Sequence, residues 1–393
     1  MGWVELNRLN VDTRSGLPKP ITYTHYFMTS FNSGRRLCHG GANIPEETTQ
    51  LGQHLFQKVY SVIPLSHFSG MTAALQGAVF LGSTLVIGPS MKPPTPPLVI
   101  EILKESKAQG FVAMPSLLKA LAQNQDSLDV LKDLKFVQWI GAALDKATGD
   151  KLSQITKLSA AMGTTECGPY FLLTPEDPKD WSSYIFLPGQ GIEFQERGGG
   201  LYELVFRKLG KDQRKWQQIF EIYPQLEVYE TKDLFMKNEE GKEGYWSYAG
   251  RADDMIVLSN SANLNAAAAE EKLMAHPSIQ MALVGGNGRE RAFAIIRLSE
   301  EARKNEKVKE GDNREASLEA VWPAIEAVNE GLSEYTRLEK EYVIFAGEGG
   351  PQLVCGSKGT VLREPSVSQF SDQIEDLFRE KKDLVGGSGG EAH

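Results

Sequence analysis

Between Lys58 and Ala161, short apolar runs alternate with helix-like stretches, and no other feature of the chain restricts its fold as much. The pattern predicts strands at Val59–Ile63, Thr84–Ile87, Phe111–Met114 and Phe136–Ile140. Between and after them it predicts helices at Met71–Leu81, Leu98–Gln109, Ser116–Ala122 and Lys146–Ile155. Apolar strands separated by helices imply a parallel sheet covered on both faces. After Pro175 the helices give way to short strand-like runs at Ile185–Leu187, Gly191–Gln195, Leu201–Arg207, Gln218–Ile222, Gly244–Tyr248 and Met255–Leu258. These predict an antiparallel portion closing the large domain. Past Gly250, a helix (Ala267–Ala275), strands at Ile279–Val284 and Ala292–Leu298, and a helix (Leu318–Asn329) follow. A strand (Tyr342–Phe345) and a terminal helix (Ser368–Arg379) complete a small α+β unit. The expected fold is therefore α/β, a doubly wound parallel sheet plus an antiparallel portion, with a small C-terminal α+β domain. The expected boundaries are 1–252 for the large domain, 253–382 for the small one and 383–393 for a flexible tail.

Composition narrows the function classes. The chain has 393 residues, 41% of them hydrophobic, enough for two domains with real cores. A net charge of −9 argues against nucleic acid as a partner. Cys38, Cys167 and Cys355 are far apart, which fits a reducing compartment and makes neither a disulfide framework nor a zinc site. The first residues lack the apolar centre of a signal peptide, and the most apolar window, Ser69 to Gly88, is broken by Gln76, Gly77 and Gly82. A cytoplasmic protein without a membrane partner is expected. Two glycine-rich strings are discounted. Gly286-Asn287-Gly288 lacks the third glycine of a dinucleotide fingerprint and leads into a strand, so it reads as a hairpin turn, and Gly386–Gly390 reads as a linker.

The chemistry concentrates in Ala160-Ala161-Met162-Gly163-Thr164-Thr165-Glu166-Cys167-Gly168. It reads as a buried strand end entering a turn with two hydroxyls and a carboxylate. Such a turn can be merely polar, or it can meet a nucleotide phosphate and its Mg²⁺, since hard oxygens bind a hard cation.

Four further stretches accompany it in order: Ser15-Gly16-Leu17-Pro18-Lys19-Pro20, Tyr229-Glu230-Thr231-Lys232-Asp233-Leu234-Phe235, Gly250-Arg251-Ala252-Asp253-Asp254 and Ser357-Lys358-Gly359-Thr360-Val361-Leu362-Arg363. Together the five resemble the adenylate-forming (AMP-binding) superfamily: the Tyr-Gly-x-Thr-Glu motif, the phosphate loop, Tyr-x-Thr-Gly-Asp-Leu, the hinge Gly-Arg-x-Asp-Asp and the catalytic-lysine motif. The last two look most like fungal peptide-synthetase-like adenylation enzymes. The resemblance implies ATP and Mg²⁺ as cofactors and a small carboxylic acid as substrate. Coenzyme A or a separate carrier protein would be the acyl acceptor.

By the same resemblance, Ser15, Gly16 and Lys19 would hold the β- and γ-phosphates, and Thr164 and Thr165 the α-phosphate. Glu166 would hold Mg²⁺, Asp233 and Arg251 the ribose. Lys358 would bridge the substrate carboxylate and the α-phosphate, and Asp253 would be the hinge. Pro64-Leu65-Ser66-His67-Phe68-Ser69-Gly70 places His67 beside the acid pocket, with Gly141 on its other wall, although His67 can equally be an ordinary packed imidazole. An aryl, α-keto or fatty acid suits those walls better than an amino acid.

The chain also departs from the family's pattern. Asp12-Thr13-Arg14 stand where small residues are expected, Lys232 replaces a glycine, Met162 an aromatic, and Ser261-Ala262-Asn263 a Gly-Glu-Lys turn. Only about a dozen residues precede the phosphate-loop stretch, where the family usually has a whole subdomain, so exposed apolar surface is expected. These departures motivate the alternative expectation of a non-catalytic remnant or interaction protein on the same fold.

Overall fold

The computed structural model describes residues 9–10, 20–21, 23, 32, 48–65, 67–89, 92–198, 200–210, 217–238, 242–304, 314–347, 350–355 and 361–386. They form two compact units that divide between Ala249 and Gly250. Ser15, Gly16, Lys19 and Lys358, and the glycine-rich stretch from Gly387, lie outside the described residues. No described helix is long and apolar enough to cross a membrane.

In the first unit, the alternating region becomes a five-stranded parallel sheet. Its strands are β1 (Lys58–Ser61), β2 (Thr84–Ile87), β3 (Gly110–Ala113), β4 (Phe136–Ile140) and β5 (Leu158–Ala161), in the spatial order β2-β1-β3-β4-β5. Side chains alternate across it, as a pleated strand requires. Tyr60, Phe111, Ala113, Val137, Trp139, Leu158 and Ala160 enter one apolar cluster. Val59, Val112 and Phe136 enter another. Helices α2 (Pro96–Ser106), α3 (Pro115–Ala122), α4 (Gln125–Lys132) and α5 (Lys146–Ser153) add Val99, Leu103, Leu118, Leu121, Leu131 and Leu152 to the first cluster. Helix α1 (Phe68–Thr72) continues as a π-helical stretch, Ala73–Phe80. Helix α4 was not foreseen. The Asn124 side chain caps it by accepting from Asp126 and Ser127 N–H, and Leu128 and Leu131 anchor it in the core with Val130 packed beside them. Among the described residues of this unit, five large apolar side chains are exposed: Phe56, Leu65, Val79, Ile87 and Met236.

The antiparallel portion is a six-stranded sheet, β6 (Leu172–Leu173), β7 (Tyr184–Phe186), β8 (Ile192–Gly198), β9 (Leu201–Arg207), β10 (Val228–Lys237) and β11 (Tyr245–Arg251), ordered β6-β7-β11-β10-β9-β8. Gln218–Ile222, expected as a strand, is instead the short helix α6 (Ile219–Ile222). A four-residue apolar run has no readable period, and here it buries Ile219 and Phe220 in the common core. A bulge interrupts the β9–β10 ladder at Thr231-Lys232-Asp233. Lys232 takes φ +66° there, and its N–H donates to the buried Glu203 carboxylate at 3.0 Å. The Thr231 hydroxyl donates to the Leu204 carbonyl at 2.7 Å and accepts from Asp233 N–H at 3.1 Å. The left-handed turn that a glycine would make freely is thus made by a lysine and held by side-chain hydrogen bonds.

The second unit has a three-stranded sheet, β12 (Ile279–Gly285), β13 (Phe293–Leu298) and β14 (Val343–Phe345), with β13 and β14 parallel. Helices α7 (Ala266–Met274) and α8 (Arg314–Asn329) share one cluster with Val284, Ala294 and Ile296. On the opposite side, Leu283, Phe293 and Ile295 meet Phe370 and Ile374. The expected terminal helix is two, α9 (Arg363–Gln369) and α10 (Ser371–Gly386), the second extending into the stretch expected as tail. Gly286–Arg291 joins the antiparallel strands β12 and β13, as a hairpin turn and not a dinucleotide loop.

Two stability predictions follow from the backbone. A Cβ on Gly110 would lie 2.2 Å from the Phe136 ring, which is itself buried. Gly110→Ala is expected to cost about 1–3 kcal/mol by overpacking, while Gly210→Ala, with open space around it, is near neutral. Lys232→Gly is expected to raise stability by up to about 1 kcal/mol, by removing a left-handed side-chain-bearing residue. Chemical denaturation of the three variants checks both.

Candidate active site

His67, Gly141, Thr164, Thr165 and Glu166 lie on loops that leave the parallel sheet at the same edge. In open α/β sheets ligands collect beyond the carboxyl ends of the strands. The loop after β1 carries His67, the loop after β4 begins at Gly141, and the loop after β5 carries Thr164, Thr165 and Glu166. His67 is exposed and is the N-cap of α1, its Nδ1 paired with Ser69 Oγ at 2.6 Å. It is therefore not a packed core imidazole. Gly141 has φ +99° and open space beside its Cα.

After β5 the chain makes a tight hairpin, with Gly163 opposite Pro169 and Thr164 opposite Gly168. The Thr164 hydroxyl accepts from Cys167 N–H at 3.0 Å, which closes the turn on itself. Gly168 has φ +77°, and the buried Gln218 amide lies where its Cβ would be, so only glycine fits. Neither polar atom of that amide has a hydrogen-bond partner among the described residues. Glu166 stands at the tip, half-buried, and its carboxylate makes no hydrogen bond or ion pair with another described residue. Burial pushes the Cys167 thiol well above its usual range, which makes it a poor nucleophile.

Three tyrosines surround this turn, none of them foreseen as site residues. Tyr23 is buried, and its hydroxyl donates to the Thr165 carbonyl at 2.8 Å. Tyr170 lies between the turn and the bulge of β10. Its hydroxyl reaches Asp233 Oδ2 at 3.5 Å, while Tyr248 reaches Oδ1 at the same distance. Burial, followed by the Cys167 and Asp233 charges, drives the Tyr170 phenol far above its ordinary range, so it stays a donor. Asp233, 3% exposed, is thus held under two phenols in an aromatic layer that includes Tyr184 and Phe235. Tyr223 stacks on Tyr229 with an interplanar angle of 8°, and its phenol is raised by burial first and then by Glu166. Met162, which stands where an aromatic was expected, packs against the main core. Long-range pairing to one hydroxyl gives tyrosines no local sequence signal.

Arg251 and Asp253 belong to the second unit, where they meet at 3.4 Å. Ser261 closes the hairpin after them with φ +66°, the conformation left without its usual glycine. Lys358 is outside the described residues, but its flanks are paired: Cys355 bridges to Val361, and Leu362 N–H donates to the Val354 carbonyl at 2.8 Å. The next residue, Arg363, clamps Glu270 through Nη1 at 2.8 Å and Nη2 at 3.1 Å, and lies 3.9 Å from Asp254 beside the expected hinge. Burial raises the Glu270 carboxyl, and the guanidinium works against that shift.

Comparison with known proteins bears on the family. Residues 15–192 match the family described as AMP-binding enzyme, and residues 253–382 match the AMP-binding enzyme C-terminal domain. A carboxylic acid reductase of Neurospora crassa is 27% identical over 388 residues, covering 96% of this chain and 35% of the relative. Adenylate-forming reductase stbB of Stachybotrys bisbyi is 26% identical, covering 95% and 33%. The chain thus spans about a third of the length of these relatives. Among solved structures, O-succinylbenzoate coenzyme A synthetase from Bacillus subtilis, in complex with AMP, superposes with TM-score 0.59 at 16% identity, covering 90% of this chain and 67% of that one. Anthranilate CoA ligase AuaEII, in complex with anthranoyl-AMP, gives 0.56 at 18%, covering 94% and 67%. With both units matched in order, the chain belongs to the adenylate-forming, AMP-binding superfamily.

Proposed function

We propose that this chain activates a carboxylic acid with ATP. A carboxylate oxygen attacks the α-phosphorus, the bond from that phosphorus to the bridging oxygen breaks, and pyrophosphate leaves with the electron pair. The product is an acyl-adenylate. The observation that supports this most is the turn Thr164–Glu166, joined through Tyr170 to the buried Asp233, at the carboxyl edge of the parallel sheet. A reaction between two anions is accelerated mainly by positioning and by cationic or hydrogen-bonding groups aimed at the phosphoryl oxygens.

Thr164 and Thr165 are assigned to the α-phosphate, Asp233 with Arg251 to the ribose, and Ser15, Gly16 and Lys19 to the outer phosphates. Lys358 is assigned to bridging the carboxylate and the α-phosphate. The donor set at the turn suits Mg²⁺ brought in on a nucleotide, for which one carboxylate plus phosphate oxygens and water suffice. Glu166 has that carboxylate uncommitted among the described residues, and Mg²⁺ would supply charge neutralisation of the phosphates. His67 and Gly141 are assigned to the pocket for the acid, whose class is aryl, α-keto or fatty. Transfer of the acyl group to coenzyme A or to a carrier protein would follow, and Asp253 is assigned as the hinge between the half-reactions.

A second reading, an interaction protein on the same fold, draws on the exposed side chains of Phe56, Val79 and Ile87. Carboxylate-dependent ATP–pyrophosphate exchange separates the two. Exchange with at least one acid in an aryl, keto and fatty panel is expected, and its complete absence in folded protein would sink the enzyme reading. Glu166→Gln is expected to lower exchange by about 10²-fold or more. Lys358→Ala is expected to abolish exchange while calorimetric MgATP binding stays within a few-fold; equal loss of both would make Lys358 structural.

A further inference from the structure

Tyr23 has no place in the assignments above, yet it touches both chemical loops of the first unit. Its hydroxyl donates to the Thr165 carbonyl across a sequence separation of 142 residues. Its ring stacks on Phe68, with centroids 5.4 Å apart and planes at 27°. Phe68 is the first residue of α1, directly after the His67 cap. Ile21 belongs to the same buried cluster, and Met71, Phe80 and Ile222 pack against it. Burial, then the Glu166 charge, lifts the Tyr23 phenol far above the tyrosine range, so the hydroxyl remains a donor.

The Thr165 carbonyl and the Glu166 N–H belong to one rigid peptide plane. Fixing the carbonyl oxygen restricts the rotation of that plane, and with it the direction of the Glu166 N–Cα bond from which the side chain is carried. We propose that Tyr23 is a positioning residue: its hydroxyl pins the Thr165–Glu166 peptide so that the Glu166 carboxylate faces the metal-bound phosphates, and its ring registers that turn against the helix that His67 caps. The role in metal–nucleotide binding rests on the adenylating reading, whereas the pinning of the peptide does not.

Tyr23→Phe in the full chain keeps the ring and removes only the donor. Two measurements then test the assignment. Amide hydrogen exchange of the ligand-free protein over residues 162–168 should rise about fivefold, the factor expected for one ordinary hydrogen bond. By calorimetry, MgATP should bind about fivefold more weakly, while ATP in EDTA should bind within twofold of the parent. Replacing Tyr23 by 4-aminophenylalanine, which returns an N–H donor, should restore both. Unchanged exchange over 162–168 overturns the pinning. MgATP affinity within twofold of a parent chain that binds it, or equal weakening of ATP with and without metal, overturns the positioning role. If the parent chain binds no MgATP, the adenylating reading falls, and the exchange experiment still decides the pinning. Should Tyr23→Phe unfold the protein, exchange and calorimetry on the 4-aminophenylalanine variant alone decide: parent-like values support the donor, and losses at both overturn it.

Discussion

Parallel pairing is the constraint on which the first unit depends. Two parallel neighbours cannot be joined by a hairpin, so each strand must be followed by a crossover, and the crossovers cover the sheet with helices. Once β1 to β5 run the same way, all their carboxyl ends open at one edge, and every loop leaving that edge starts beside the others. The inner strands β3 and β4 are then buried on both faces, which leaves Phe136 so little room that its neighbour strand must present Gly110 to it. Stability and site placement come from the same geometry.

The antiparallel sheet contributes differently. Its core is aromatic, with Phe186, Phe194, Phe235, Tyr184 and Tyr248 in mutual edge or tilted contact. A carboxylate in such surroundings is costly unless donors reach it. Asp233 is reached by Tyr170 and Tyr248 at 3.5 Å, and the bulge at Lys232 aims it towards them. The second unit solves a similar problem with charge. Glu270 is largely buried and accepts two bonds from Arg363 and one from Val284 N–H, so its desolvation is offset by a bidentate partner. That pair ties the start of α9 to the helix that follows the hinge stretch.

Much of this was legible beforehand. The strands at Thr84–Ile87 and Phe136–Ile140 stand at their predicted residues, since continuous β-branched and aromatic runs between turn residues have few other uses. What could not be read has separate physical causes. Helix α4 hides because a largely polar, exposed helix is held by few apolar side chains, Leu128 and Leu131 with Val130 beside them. Gln218–Ile222 misleads because a short apolar run suits a strand and a buried helical turn equally. Lys232 reads as damage to a glycine position, and the bulge shows how a lysine is accommodated there by the Glu203 and Thr231 side chains.

By itself the sequence determined the α/β layering and the presence of an antiparallel portion after it, and it singled out the turn Gly163–Gly168. These depend on local periodicity and on residue types at fixed short spacings, which the chain carries in its order. Only the tertiary structure decided that Tyr23 holds the Thr165 carbonyl, that Tyr170 spans the turn and Asp233, and that Arg363 clamps Glu270. Those pairs are separated by 63 to 142 residues, and a hydrogen bond that closes such a loop leaves no periodic trace in either partner's neighbourhood.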